Sequence, residues 1–510
     1  MKSTPLSLIA GVVALSAVTG FAALTAPGDE GPAEAKAASR LPVERSSLLC
    51  PAPSTSDLAE TTYTSFTPAG KGGGEAGAAE LKPAEALQAD EEAAADKEKD
   101  GKDDGDKEKA ADGKPVVSLK ELGRPASADT SDSGAPALVG TATGKFAPGW
   151  TAQQTTTAAA GGARGLLGVS CTAPDTDFWF PGASTGKSRQ DYVHLTNPDD
   201  TAAVADIELY GAEGPLESDS GEGITVPAKS SVPLLISTLT SEAAENVTVH
   251  VTTRTGRVGA VVSAAEDEVG SDWLAASEDP AGTQVLPGIP ADATSVRLVA
   301  FAPGEDDADV KVQLLGKNGA FSPAGNDTLH IKSQMTASVD LKNVTRGEPG
   351  SLRLSPVDGS NTPVVAALRV VRGTGAKQEI AFIPATGPVG ERASVADNRA
   401  KGSVLSLTAP GGTAEVKVTA SAGSGGGEAT VKTYTVKGGT TLQVTPGTPA
   451  GLKGGYALTV ETVSGGPVHA SRTLTLTEGG VGMFTVQTMP DDGGMVEVPA
   501  TEQDLSVLDD

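Results

Sequence analysis

VADIELYG (204–211), DVKVQLLG (309–316) and EVKVTAS (415–421) alternate apolar and polar side chains with a period of two. In an extended chain that period sends the apolar side chains to one face, so each segment reads as a half-buried β-strand. The three also share a phase. Pro198, Pro303 and Pro410 precede them, and each proline is followed at 13 and 16 residues by glycine: Gly211 and Gly214, Gly316 and Gly319, Gly423 and Gly426. One strand in three equivalent places predicts a repeated domain.

Further landmarks extend the repetition. An apolar run ending in proline recurs as LLCP at Pro51, FWFP at Pro181, VLP at Pro287, FIP at Pro384 and VQTMP at Pro490, spaced by 130, 106, 97 and 106 residues. Cys50 to Pro68 and Phe180 to Pro198 align without a gap. A later apolar strand recurs as ARGLLGVS from Ala163, GRVGAVVS from Gly256, PVVAALRVV from Pro363 and PVHASRTLTL from Pro467, with Trp179 and Trp273 following the first two. The expected organisation is a signal peptide or membrane anchor at 1–28, four repeats at 41–180, 181–285, 286–385 and 386–490, and an acidic tail at 491–510. About seven short strands per ~100 residues, broken by Gly, Pro, Asn and Asp, read as all-β: tandem immunoglobulin-like antiparallel β-sandwiches. Propeller blades of ~40–45 residues do not fit that period. Helical periodicity is nearly absent; Ser237–Asn246 is expected to form one helical turn.

Composition narrows the function classes. The 510 residues include 63 Gly and 34 Pro, only 9 Phe, 5 Tyr and 3 Trp, and carry a net charge of −26. Nucleic acid is excluded as a general partner, because binding it needs clustered Lys and Arg to displace counterions. Leu6 to Ala26 is an uncharged apolar run of 21 residues behind Lys2 and ahead of Asp29 and Glu30. As a helix it is long enough to span a membrane, so the segment is an apolar helix serving as cleaved signal or anchor, and the chain after it is expected outside the membrane.

Cys50 and Cys171 both lie beyond that segment. An even pair in an exported chain points to a disulfide, with two free buried thiols as the alternative. Two thiols alone cannot complete a zinc site. From Gly70 to Lys114 the chain is almost entirely Ala, Gly, Glu, Asp and Lys, with Leu81 and Leu87 its large apolar side chains. It is expected to be a disordered, dispensable insertion. Asp96, Glu98, Asp100 and Gly101 imitate a calcium loop, but Lys107 stands where the bidentate Glu belongs.

LLCP, GVSC, FWFPG, VHLTNPDDTAAVADIELYG and SDWLAAS together resemble a group of uncharacterised actinobacterial secreted or membrane-anchored proteins that carry only a domain-of-unknown-function label. The resemblance runs from about Leu41 to Asp491 apart from the acidic insertion, and is vague in the fourth repeat. It implies immunoglobulin-like repeats outside the cell and brings no catalytic residues.

The residues offer little chemistry of their own. His194 stands near Asp191 and Asp199, but no GxSxG elbow occurs and strand alternation reads it as solvent-facing. His250, His330 and His469 stand alone, and no HExxH motif is present. Glu305, Asp306, Asp307 and Asp309, and Glu217, Asp219 and Glu222, fall in turns where a surface calcium ion is the alternative to simple solvation. The sequons at Asn246, Asn326 and Asn343 mark exposed turns. No catalytic, metal or cofactor residue is assigned. The expectation is a non-enzymatic exported cell-envelope protein, a scaffold, spacer or binding arm meeting an envelope protein or wall polymer and the membrane only through its N-terminal segment; the alternative is a secreted accessory module working with a separate enzyme. Four repeats end to end would make a bent, extended rod about 140 Å long.

Overall fold

The computed structural model describes residues 39–70, 75–84, 114–218, 220–357, 359 and 361–499. The N-terminal apolar segment, the calcium-loop imitation at 96–107, Asp219 and residues 500–510 of the acidic tail lie outside them. The chain divides into two units, residues 1–41 with 495–510, and residues 42–494. In the first, Ser39–Pro42 pairs with Met495–Val498 as a two-stranded sheet. All other described strands belong to the second.

Each repeat lays down two antiparallel sheets on one plan. In the first repeat the strands are Arg45–Cys50, Ala59–Phe66, Ala79–Pro83, Val117–Leu119, Ala126–Thr130, Leu138–Thr143, Thr151–Ala158 and Gly165–Ser170. The first, sixth, third and fourth lie side by side in one sheet; the fifth, second, seventh and eighth form the other. The repeats starting at Asp177, Gln284 and Arg392 follow the same order, the fourth position being split into two short strands in the second and third, and the fourth repeat adds a small two-stranded sheet of Gly426–Glu428 and Ala450–Lys453. The helical turn expected at Ser237–Asn246 is a 3-10 turn at Ile236–Thr238.

The alternating segments become the third strands Ala203–Gly211, Ala308–Leu315 and Ala414–Ala420. Ala205, Ile207 and Leu209, then Val310, Val312 and Leu314, then Val416 and Val418 are buried from them. Each buried Val, Leu or Ile contributes roughly 1.5–3 kcal/mol relative to exposure, which fixes the strand register because a one-residue slip would turn the whole set to solvent.

Three expectations are corrected. Part of the supposed insertion is core. Ala79–Pro83 is the third strand of the first repeat, with Ala79 and Leu81 buried beside Tyr63 and Trp150; residues 71–74 and 85–113 lie outside the described ones. The proline series changes meaning along the chain. Pro181 and Pro287 sit in first strands, each followed by a glycine at positive φ, Gly182 and Gly288, where the register shifts. Pro384 instead closes the eighth strand of the third repeat and Pro490 follows that of the fourth, because both kinds of strand are buried on both faces and read alike. ARGLLGVS likewise holds an eighth strand. The seventh strand of the first repeat is Thr151–Ala158, whose buried side chains include Gln153, Gln154, Thr155 and Thr156 and give no hydrophobic signal.

The third correction concerns the extended rod. The eighth strands Gly165–Ser170, Gly270–Leu274, Glu379–Pro384 and Val481–Thr488 each meet the next, and the fourth meets the first, so the repeats close into a ring inside one compact unit. Continuity of the cores explains it. Ile380 and Phe382 of the third repeat enter the core of the second, and Phe484 and Val486 of the fourth enter that of the third. Leu167 and Val169 of the first repeat pack on Val261 and Trp273 of the second, and Leu166 meets Leu474 and Met483 of the fourth. End-to-end stacking would leave these apolar faces in water.

Candidate functional site

Register places Ser231, Thr336 and Thr441 at one position in three successive repeats, at or next to the start of the fifth strand and opposite Thr196, Phe301 or Thr408. Between the second and third repeats Thr336 Oγ1 donates to the Tyr210 carbonyl at 2.7 Å and lies 2.9 Å from Thr248 Oγ1. Around it Phe301 packs on Tyr210 and Trp179, with centroids 4.6 and 5.5 Å apart. Between the third and fourth repeats Thr441 Oγ1 donates to the Leu315 carbonyl at 2.7 Å and lies 2.9 Å from Ser351 Oγ. Among the described residues Ser231 makes no such link; its hydroxyl meets Thr196 at 3.1 Å inside its own repeat.

Where that seal is missing, a cavity of about 650 Å³ opens between the first and second repeats. Its floor is the outward face of the second repeat's sheet, where the period of two presents Gln190, Tyr192 and His194, then Ser263 and Ala265, then Ser271. Its wall comes from the first repeat through Ala52–Thr55, Ala84, Ser133–Ala137 and Leu167. Among the described residues, no Asp, Glu, Lys or Arg lines it.

His194 is therefore not solvent-facing, because the first repeat covers the face it projects from. Its Nε2 lies 3.0 Å from Ser263 Oγ and its ring meets the edge of Trp273 at 5.1 Å. Burial lowers its pKa to about 4, so the imidazole is neutral at pH 7. Nδ1 has no hydrogen-bond partner among the described residues. A Ser-His pair of this kind lacks the carboxylate that would orient the ring and stabilise an imidazolium. Asp191, the nearest acid in sequence, is instead held by the Arg189 guanidinium at 2.6 Å.

The ring centre is polar for a structural purpose. Asp272 Oδ1 accepts from the backbone N–H of Gly168 at 3.0 Å, the N–H of Trp273 at 2.8 Å and Thr485 Oγ1 at 3.1 Å, joining the first, second and fourth repeats. Burial holds that carboxyl well above its ordinary pKa. Arg164 donates to the carbonyls of Val269 at 2.7 Å and Gln378 at 2.6 Å, and its Nε lies 3.0 Å from Glu379 Oε1. Burial pushes the Glu379 carboxyl up to about 7 against the opposing pull of Arg164. Gln153 Oε1 accepts from the N–H groups of Ala396 and Asp397 at 3.0 and 2.9 Å, tying the first repeat to the fourth.

The remaining histidines have company the sequence did not reveal. His250 stacks on Trp179 at 3.6 Å and lies 2.9 Å from Glu208, His330 lies 2.9 Å from Asp309, and buried His469 meets the Thr386 carbonyl at 2.9 Å. Among the described residues no three His, Cys, Asp or Glu are grouped to hold a metal ion. Cys50 and Cys171 are disulfide-bonded, and the paired N–H groups and carbonyls of Leu49 and Thr172 flank the bridge at 2.8 and 3.0 Å. Neither the cavity nor the ring was visible in the sequence; the polar run QQTTT at 153–157 was the one available signal of a buried polar centre.

Residues 126–447 match the model of a family described as a family of unknown function, DUF5719. No curated protein and no solved structure matches the chain.

Proposed function

The chain belongs to the DUF5719 family of unknown function, and we propose that it is a non-enzymatic, exported cell-envelope protein whose four immunoglobulin-like repeats work as one rigid head. The observation that carries this reading is the closed ring of eighth strands, which makes a platform of fixed geometry from repeats that share cores. On this reading the chain is a compact scaffold or binding head facing an envelope protein or wall polymer, in place of an extended arm or spacer. Export is supported by the Cys50–Cys171 disulfide, a bond that persists in oxidising compartments.

The immunoglobulin likeness rests on adjacency of the second with the fifth strand and of the third with the sixth, as in the immunoglobulin order; relative to it the first, fourth and seventh strands lie in the other sheet and an eighth strand is added. A second reading, a released accessory module that carries a small ligand, is favoured by the cavity between the first two repeats. Fractionation with protease treatment of intact cells distinguishes these. A scaffold is recovered with the envelope and is cleaved from outside, an accessory module is recovered from the medium, and a cytoplasmic protein with two free thiols overturns both.

A further inference from the structure

We propose that the cavity between the first and second repeats is a binding site for an uncharged, mostly apolar small molecule whose polar group meets the His194–Ser263 pair. The volume of about 650 Å³ lies within the 300–1,000 Å³ range of small-molecule sites. The cavity is not a by-product of stacking repeats. At the two equivalent junctions Thr336 and Thr441 reach across and bond the preceding repeat, whereas Ser231 stays bonded within its own.

Chemistry selects the ligand. Among the described residues, no acidic or basic side chain stands on this lining. A charged ligand would lose its hydration there with no counter-ion among the described lining residues. The hydroxyls of Ser54, Ser231 and Ser263, together with the imidazole of His194, supply hydrogen bonds to a neutral donor or acceptor, while Tyr192 and Leu167 supply apolar surface.

The site does not depend on where the protein resides, so it can be tested on the purified full chain. The probes are N-phenyl-1-naphthylamine, which is neutral and carries one N–H, and 1-anilinonaphthalene-8-sulfonate, which adds an anionic sulfonate to the same rings. The neutral dye is expected to bind saturably at one site per chain, and the anionic dye at least tenfold more weakly. Ala265→Trp from the floor and Ser54→Trp from the opposite wall each fill the space, and each is expected to weaken the neutral dye at least tenfold with the melting temperature retained. Two variants from different repeats guard against one of them misfolding. Equal binding of both dyes, no saturable binding, or binding indifferent to both folded variants overturns the proposal.

Discussion

Glu379 of the third repeat lies 3.0 Å from the Arg164 guanidinium of the first, although the second repeat separates them in the chain. The pair has proximity without a well-aligned hydrogen bond, since neither Glu379 oxygen finds one among the described residues. Burial therefore outweighs the cation, and the carboxyl titrates at about 7 instead of 4.5. Between those two pH values the folded state holds a proton that the unfolded state has released, so stability is full below 4.5 and declines as pH rises to about 7. The loss is at most about 3 kcal/mol at 1.36 kcal/mol per pH unit. Glu379→Gln imitates the protonated form. It is expected to flatten the decline in urea-unfolding free energy between pH 5 and 8 and to be the more stable protein at pH 8; a less stable variant at pH 8 would mean that the ionised Arg164–Glu379 pair holds the ring.

The Cys50–Cys171 bridge closes a loop spanning 121 residues, from the end of the first strand to just past the eighth. In the chain-entropy account a loop of that length is worth about 4–5 kcal/mol. Cys50→Ala with Cys171→Ala is expected to lower the melting temperature by several degrees and to leave the reciprocal bonds of Leu49 and Thr172 in place. Mass spectrometry of the unreduced wild-type protein should find no free thiol.

Leu81 marks how far the sequence could be read. The third strands of the later repeats were legible because Val, Ile and Leu alternate with charges, as in DVKVQLL. The same strand in the first repeat is AELKP, two apolar side chains beside a polyampholyte tract, and composition hid it. Leu81 is nevertheless fully buried, close enough to Gly140 and Trp150 that a Cβ on Gly140 would collide with both. Leu81→Ala is expected to cost roughly 2–5 kcal/mol by loss of transfer energy and the cavity left behind. Urea denaturation measures it, and a cost below about 0.5 kcal/mol would place the strand outside the core.

Thr336 shows why the junctions escaped a reading based on hydropathy. A single hydroxyl at the start of a fifth strand looks like any turn residue, and only the packing of one repeat on another gives it the buried Tyr210 carbonyl. Thr336→Val keeps the shape and leaves that carbonyl without its donor, at about 1–3 kcal/mol. Ser231→Ala, at the equivalent position lining the cavity, removes only a bond to Thr196 and is expected to cost less than 1 kcal/mol. Equal costs in thermal denaturation would show that the two junctions are sealed alike.

Gly168 decides whether the ring can close. Its N–H bonds Asp272 of the second repeat, and a Cβ placed on it would stand 1.9 Å from Gln487 Nε2 and 2.7 Å from Thr485 Cγ2 of the fourth. The glycine is thus required by close approach of strands from three repeats, not by a turn. A compact body of the size of residues 42–494 has a radius of gyration near 22 Å, while four repeats in line approach about 40 Å. Small-angle scattering of that unit is expected to give the smaller value for the wild type. Gly168→Leu drives a side chain into Gln487 and Thr485, so the first and fourth repeats are expected to part while their own sheets persist, raising the radius of gyration and opening the junction to proteolysis. A wild-type value near 40 Å would return the molecule to the extended rod, and an unchanged radius in a folded Gly168→Leu protein would show that the ring is held by the apolar seams of Leu166, Leu474 and Met483 rather than by the polar centre.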